Sequence, residues 1–217
     1  MDARQDELAN PFGMDEDCQL CPELCESRTQ VVHGYGDVGA DFVVLGSSPS
    51  AGADAAGVPF TGDDRLVIES LSRVGLVADP AAEEPDVDNV YLSYVTRCRH
   101  PDREATDEEV SNCEAYRSSE LRMINPEIIV PVGGVALEAL AFEYTTESAE
   151  DLDVGEMHAT TVRGRGFELV PMKEPADQSD ADTEAFVEHF ADLLGTDYRQ
   201  TKGRQGSLES GRGPDEE

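Results

Sequence analysis

From Asp41 onward, short continuous apolar segments alternate with segments of helical periodicity. The apolar segments have the length of buried strands, and a helix-forming segment follows each of them. The predicted strands cover residues 42–46, 90–95, 127–133 and 167–171, and the predicted helices cover 64–74, 106–125, 135–142 and 182–194. This alternation predicts a three-layer α/β/α sandwich around a central, mostly parallel four-stranded sheet.

The loops after the predicted strands are the expected place for a ligand site. Open parallel sheets bind ligands at the carboxyl ends of their strands, where the connecting loops meet. In this chain those loops follow Leu45, Val95, Val132 and Val170. We therefore expect the functional side chains in these four loops.

The two ends of the chain differ in composition from the region between them. Residues 1–17 are polar and acidic, which predicts an N-terminal arm, and residues 196–217 are polar and Gly-rich, which predicts a disordered tail. Residues 18–195 then form one domain of ordinary size. No apolar run reaches the roughly 18 residues of a membrane helix, and the N-terminus has no secretory signal. We expect a cytoplasmic monomer with no membrane partner.

The charge balance of the chain is strongly acidic. Asp and Glu number 47 against 16 Lys and Arg, which gives a formal net charge of -31. One interpretation is adaptation to a salt-rich cytoplasm, where a Debye length of about 3 Å weakens repulsion and acidic side chains hold water. The other is an acidic interaction module. Lysine occurs only at Lys173 and Lys202, which favours an origin in a halophile.

Basic residues concentrate in one short stretch. Residues 97–103 read RCRHPDR and contain Arg97, Arg99 and Arg103 with a single acidic residue. Basic side chains of this kind contact the phosphates of nucleic acids. The three arginines are therefore candidate DNA-binding residues, and the alternative is that they pair with the acidic surface.

The cysteines form the second distinctive pattern. Cys18 and Cys21 make a C-x2-C motif, Cys25 follows it, and Cys98 and Cys113 lie much further along the chain. Disulfides are rare in the cytoplasm. Four thiolates from two distant segments suit a tetrahedral zinc ion or an iron–sulfur cluster. The spacing leaves both open, together with a role as small buried apolar side chains.

Five motifs occur in a fixed order: C-x2-C at 18–21, SRTQVVHGYGDVGADFVVLG at 27–46, GSSPSAGADAAGVPFTG at 46–62, TRCRHPDREATDEEVSNC at 96–113 and NPEIIVPVGGVALEAL at 125–140. Together they resemble the iron–sulfur-containing uracil-DNA glycosylases, family 4 of the uracil-DNA glycosylase superfamily. The resemblance runs from about Cys18 to Leu194. It implies an α/β fold, DNA as the partner, and hydrolysis of the N-glycosidic bond of uracil in base excision repair.

The resemblance also implies ligands for a cofactor. Cys18, Cys21, Cys98 and Cys113 correspond to the four ligands of the family's 4Fe-4S cluster. Cys25 is left as an extra thiol. The choice of iron–sulfur over zinc therefore rests on the resemblance and not on the spacing.

The base pocket implied by the resemblance lies around the 46–62 loop. There Gly46 contributes to the pocket and Phe60 would stack on a uracil flipped out of the DNA, because the glycosidic bond is inaccessible inside the base stack. The alternative is that Phe60 is a core side chain. Pro175, in the loop after the fourth strand, would contact DNA.

Three polar positions of that pocket differ from the family pattern. The family's Glu is Ser47, its Asn is Tyr94 and its His is Glu174. We expect Ser47 and Glu174 to be the catalytic residues and Tyr94 to line the base pocket, and the alternative for Tyr94 is an ordinary strand residue. A hydroxyl is a weak substitute for a carboxylate, and a charged Glu174 would oppose departure of a base anion unless its pKa is raised.

These departures leave several hypotheses open. The first is a 4Fe-4S DNA glycosylase that removes uracil or another deaminated base. The second is a catalytically silent paralogue that retains the cluster and a DNA- or protein-binding surface. The third, a zinc-stabilised nucleotide-binding module, requires zinc in place of iron.

Overall fold

The computed structural model describes residues 3–145 and 152–198. The strands are β1 (Tyr35–Gly36), β2 (Phe42–Gly46), β3 (Val77–Ala78), β4 (Asp86–Val87), β5 (Val90–Tyr94), β6 (Ile128–Pro131), β7 (Val162–Arg163) and β8 (Glu168–Leu169). The helices are α1 (Pro22–Ser27), α2 (Ala51–Ala56), α3 (Leu66–Arg73), α4 (Asp107–Ile124), α5 (Gly134–Tyr144), α6 (Val154–Met157) and α7 (Asp180–Leu194). A 3-10 turn covers Pro175–Asp177.

The central sheet has six strands in the order β1-β5-β2-β6-β8-β7. Its four inner strands are parallel and coincide with the four predicted segments, which confirms the mostly parallel α/β fold. The predicted count of four strands was wrong, because β1 and β7 add an antiparallel strand at each edge. Each of these edge strands has two residues, too few to show any periodicity.

A second small sheet lies in a segment that reads as a surface loop. Strands β3 and β4 pair antiparallel through Val77 with Val87 and Ala78 with Asp86. Val77 and Val87 are both buried, so this acidic segment is fastened to the core by its two apolar ends.

The two faces of the sheet are covered by different helices, which gives the predicted three layers. Along β2 the side chains alternate, so that Phe42 and Val44 face one core cluster and Val43 and Leu45 face the other. The first cluster contains residues of α3 and α7, and the second contains residues of α4 and α5. Both faces of the parallel strands are therefore apolar, as the continuous apolar runs indicate.

Helix α4 begins and ends where the sequence predicts. Thr106 caps it in a capping box with Glu109, whose carboxylate accepts from the Thr106 backbone N–H at 2.8 Å. At its other end Asn125 takes a left-handed conformation with φ of 51°, directly before Pro126. These caps fix the helix that presents Cys113 toward the first cysteine motif.

The N-terminal segment packs on the domain. Residues 3–17 contain no helix, yet Phe12 and Met14 are buried in the cluster that contains Tyr91. The centroids of the Phe12 and Tyr91 rings lie 5.7 Å apart.

At the C-terminal end of the described residues Tyr198 packs on Phe42, and the rest of the predicted tail lies outside the described residues. Within the described ranges no helix has the length and apolar character needed to cross a membrane.

Candidate active site and metal centre

The carboxyl ends of the inner strands bring the predicted catalytic residues together. Ser47 follows β2, Glu174 follows β8, and the Ser47 hydroxyl donates to Glu174 Oε1 at 2.8 Å. Gly133, after β6, lies against the same carboxylate. A Cβ at Gly133 would lie 1.9 Å from Glu174 Oε1, and its φ of 86° also favours glycine. Residues far apart in the sequence thus form one site at a topological switch point, because β2 has β5 on one side and β6 on the other.

The Glu174 carboxyl has a raised pKa. Burial is the largest cause, the hydrogen bond from Ser47 acts in the opposite direction, and the charges of Asp64, Asp177 and Glu104 raise it further. The side chain of the neighbouring Lys173 pairs with a different carboxylate, donating to Asp182 Oδ1 at 2.6 Å. Glu174 therefore lies in an environment that disfavours its charged form.

Phe60 and Tyr94 pack beside Gly46, the residue before Ser47. Their ring centroids are 4.9 Å apart, and both side chains are about 1% exposed. Gly46 allows this contact, because a Cβ there would lie 2.8 Å from the Tyr94 ring and 2.9 Å from the Phe60 ring. Phe60 has a φ of 58°, a strained conformation for a residue with a side chain.

Asp64 is a site residue that sequence reasoning did not find. Its Oδ2 accepts from the Tyr94 hydroxyl at 2.6 Å, and its Oδ1 accepts from the Ser50 hydroxyl at 2.7 Å. Burial raises the pKa of Asp64, and the hydrogen bonds from Tyr94 and Ser50 lower it. In the sequence Asp64 reads as the polar start of a helix, and no local pattern shows that Tyr94 reaches it.

Cys18, Cys21, Cys98 and Cys113 line one shared pocket between α1, α4 and the loop after β5. Cys25 does not line it, and its thiol lies 3.5 Å from the carbonyl oxygen of Cys18. Among the described residues no group of three or more His, Cys, Asp or Glu is arranged to hold a metal ion. In a four-iron cluster each thiolate binds a different iron, so its ligands need not converge on one point.

Hydrogen-bond donors surround the four thiols. Arg28 Nη1 donates to Cys98 Sγ at 3.0 Å, and Asn112 Nδ2 donates to Cys21 Sγ at 3.5 Å. Arg97 lines the same pocket, and its buried Nε has no partner within the described part of the chain. Burial raises the pKa of Cys98 to about 11, so the free thiol is neutral. Four thiols, nearby cations and an unpaired buried N–H fit an anionic thiolate cluster.

Arg97 was wrongly predicted to contact DNA. It is 1% exposed, and its guanidinium donates to Ser93 Oγ at 2.6 Å and pairs with Glu120. The Tyr91 hydroxyl donates to the same Glu120 carboxylate at 2.8 Å. A buried cation requires such a partner. Because Glu120 lies on α4, far from Arg97 in the sequence, no local motif predicts this ion pair.

The two other arginines of this stretch lie at the surface. Arg103 is 30% exposed and pairs with Glu109 and Glu23, both at 2.8 Å. Arg99 is half-buried and forms no ion pair within the described ranges. Pro175 begins the 3-10 turn next to Glu174 and is also half-buried. Contacts of Arg99, Arg103 and Pro175 with DNA remain predictions.

Comparisons with known proteins agree with this architecture. The sequence profile of the uracil DNA glycosylase superfamily matches residues 33–195. A type-4 uracil-DNA glycosylase of Archaeoglobus fulgidus is 30% identical over 165 residues, 73% of this chain and 76% of the relative. One of Pyrobaculum aerophilum is 31% identical over 165 residues, covering 74% and 79%. A type-5 uracil-DNA glycosylase of Thermus thermophilus is 33% identical over 147 residues, covering 57% and 67%.

The matched region contains every inner strand of the sheet, including Tyr94 at the end of β5, and the loops that hold Ser47, Phe60 and Glu174. It begins after the C-x2-C motif, which the structure places beside Cys98 and Cys113. Fold, site location and sequence similarity point to the same conclusion: this chain belongs to the uracil-DNA glycosylase superfamily.

Proposed function

We propose that this protein is a 4Fe-4S DNA glycosylase of base excision repair. It hydrolyses the N-glycosidic bond of uracil or of another deaminated base in DNA. The observation that carries this proposal is the hydrogen bond that joins Ser47 to Glu174 at the carboxyl edge of the sheet, next to Gly46, on which the Phe60 ring packs. The names of the related proteins support the same chemistry. The acidic composition supports a salt-rich cytoplasm as its working environment.

In this proposal the base is flipped out of the DNA and its ring stacks on Phe60. Negative charge develops on the departing base, so the transition state requires a hydrogen-bond donor there. Glu174 serves as that donor when it is protonated, and the raised pKa of its carboxyl favours this form. Ser47 supplies a second hydroxyl and orients the carboxyl through their mutual hydrogen bond.

Cys18, Cys21, Cys98 and Cys113 would hold the cluster. When bound, the cluster supplies covalent cross-links between two distant segments and not the hydrolytic chemistry. These cross-links would stabilise α1, the loop after β5 and the start of α4. Arg28 and Asn112 would stabilise the thiolates by donating to their sulfur atoms.

A catalytically silent paralogue is the second candidate function. The observation that favours it is the contact between Tyr94 and Phe60, which leaves the Phe60 side chain about 1% exposed. Such a protein would bind DNA or a protein partner and retain the cluster without cleaving a glycosidic bond.

Incubation with oligonucleotides tests the proposed activity. Single- and double-stranded substrates would carry uracil, hypoxanthine or xanthine, in molar KCl, and abasic sites would be detected by alkaline cleavage. The glycosylase proposal requires abasic sites with at least one substrate. Intact strands throughout, with excess protein that binds the DNA, would favour the silent paralogue.

Replacing Glu174 by glutamine should stabilise the folded protein at neutral and higher pH. A folded-state pKa above the unfolded value means that the carboxyl stabilises the fold when protonated, and that this stability is lost as pH rises through the raised pKa. Melting temperatures of the wild type and Glu174→Gln, measured from about pH 4 to about pH 8, should therefore diverge as pH rises. Equal melting temperatures across the range would show that the charged Glu174 carboxylate does not destabilise the folded protein.

Replacing Arg99 by alanine should weaken DNA binding through one lost phosphate contact. Such a loss lowers the slope of log affinity against log salt by about 1. Arg73→Ala is the matched control, since Arg73 lies on α3 and pairs with Glu184 at the surface. Fluorescence anisotropy over a salt series measures both. An unchanged slope in Arg99→Ala would remove Arg99 from the DNA-binding surface.

A further inference from the structure

The ring of Tyr94 packs on the ring of Phe60, the residue predicted to stack on a flipped base. Its centroid is 4.9 Å from that of Phe60 with an angle of 39° between the planes, a normal distance for an aromatic pair. Both rings pack directly against Gly46, since a Cβ at that position would lie within 2.9 Å of each ring. The Phe60 side chain is about 1% exposed, so no accessible face remains for a second planar ring.

Two hydrogen bonds hold the Tyr94 ring in this place. The hydroxyl donates to Asp64 Oδ2 at 2.6 Å and accepts from the Phe60 backbone N–H at 2.7 Å. Asp64 is itself fixed by the Ser50 hydroxyl at 2.7 Å, and Ser50 caps α2 through the Ala53 N–H. The hydroxyl thus has both a donor and an acceptor partner, as a buried phenol requires.

These contacts are directed at the same loop that would receive the base. Tyr94 binds the backbone of Phe60, and Asp64 lies four residues further along that loop. A base that entered would have to break the ring contact and displace the phenol from Asp64. Tyr94 is therefore placed to compete directly with a ligand.

We propose that Tyr94 occupies the base-stacking position over Phe60 and determines which bases gain access to the site. The inference rests on the proposed function in one respect, namely that Phe60 is the base-stacking residue. Withdrawal of the single phenol ring would free room for a single six-membered ring, which makes a pyrimidine the ligand class. Asp64 is the positioning residue that holds Tyr94 in the closed arrangement.

Binding of free uracil tests this without requiring hydrolysis. Calorimetric titration of the full chain with uracil should show binding to Tyr94→Ala at least about tenfold tighter than to the wild type, because loss of the ring removes a stacked pair and two hydrogen bonds that the ligand must displace. Tyr94→Phe is the matched control, since it keeps the ring and loses the hydroxyl. It should bind more weakly than Tyr94→Ala.

A second variant keeps the test informative if Tyr94→Ala does not fold. Asp64→Asn leaves the ring in place and weakens its attachment, and it should bind uracil more tightly than the wild type. Melting curves establish that each variant is folded. Equal uracil affinity in the wild type, Tyr94→Ala and Asp64→Asn would overturn the proposal, as would tighter binding by the wild type.

Cleavage of DNA substrates, measured apart from uracil affinity, distinguishes failure of the role of Tyr94 from failure of the glycosylase proposal. Tighter uracil binding by Tyr94→Ala, with no abasic sites formed by the wild type on the uracil, hypoxanthine or xanthine substrates, would support the role of Tyr94 and count against the glycosylase proposal. Cleavage by the wild type with uracil affinity unchanged in Tyr94→Ala would support the glycosylase and overturn the role of Tyr94.

Discussion

Replacing Cys98 by serine is expected to remove iron from the protein and to lower its thermal stability strongly. Cys98 follows β5 and shares a pocket with Cys18 and Cys21, so a bound cluster would tie two distant segments of chain together. A structural metal site contributes its binding free energy to folding, and losing one ligand of four forfeits much of it. Protein purified without oxygen should contain about four iron atoms per chain and absorb visible light, and Cys98→Ser should do neither.

Cys25→Ser is the matched control for this experiment. Cys25 lies close to the same segment, but its thiol approaches a carbonyl oxygen and does not line the shared pocket. It should therefore retain iron, colour and melting temperature. Loss of iron from Cys25→Ser together with retention in Cys98→Ser would contradict the ligand assignment, and zinc in place of iron would favour the zinc-stabilised module.

Replacing Glu120 by alanine is expected to destabilise the fold by roughly 3–5 kcal/mol. The carboxylate pairs with buried Arg97 and accepts from the hydroxyls of Tyr91 and Ser93, both at 2.8 Å. Removal of this carboxylate leaves the buried Arg97 guanidinium without a counter-ion and the Tyr91 and Ser93 hydroxyls without their acceptor. Chemical denaturation followed by circular dichroism measures the change in the free energy of unfolding.

Glu23→Ala provides the contrast for that measurement. Glu23 pairs with Arg103 at the surface and is 74% exposed, and solvent screens such pairs. Its loss should change the free energy of unfolding little. A Glu120→Ala variant as stable as Glu23→Ala would show that Arg97 finds another partner or reaches solvent, and would reopen its assignment as a DNA contact.

The fold could be predicted from the sequence because its main elements carry local signals. Continuous apolar runs mark the inner strands, and the capping box of Thr106 and Glu109 marks the start of α4. The edge strands β1 and β7 have no such signal, since each is two residues long and forms only by pairing with a neighbour. Strand number was therefore beyond local reasoning.

The candidate site was predictable in its location but not in its contacts. The rule for open parallel sheets and the family resemblance both place Ser47 and Glu174 at the carboxyl edge, where the structure joins them. Arg97 was misjudged because its partner lies on another element, in the interior. Asp64 was missed for the same reason, since only the folded chain brings it to Tyr94.

Measurement of released base tests the central claim most directly. Iron-loaded protein would be mixed at equimolar ratio with duplex DNA containing uracil, hypoxanthine or xanthine, and the free base would be identified by mass spectrometry. The glycosylase proposal predicts that at least one of these bases is released with an abasic site left in the strand, and that Glu174→Ala slows the release. No released base from any of the three substrates would contradict it.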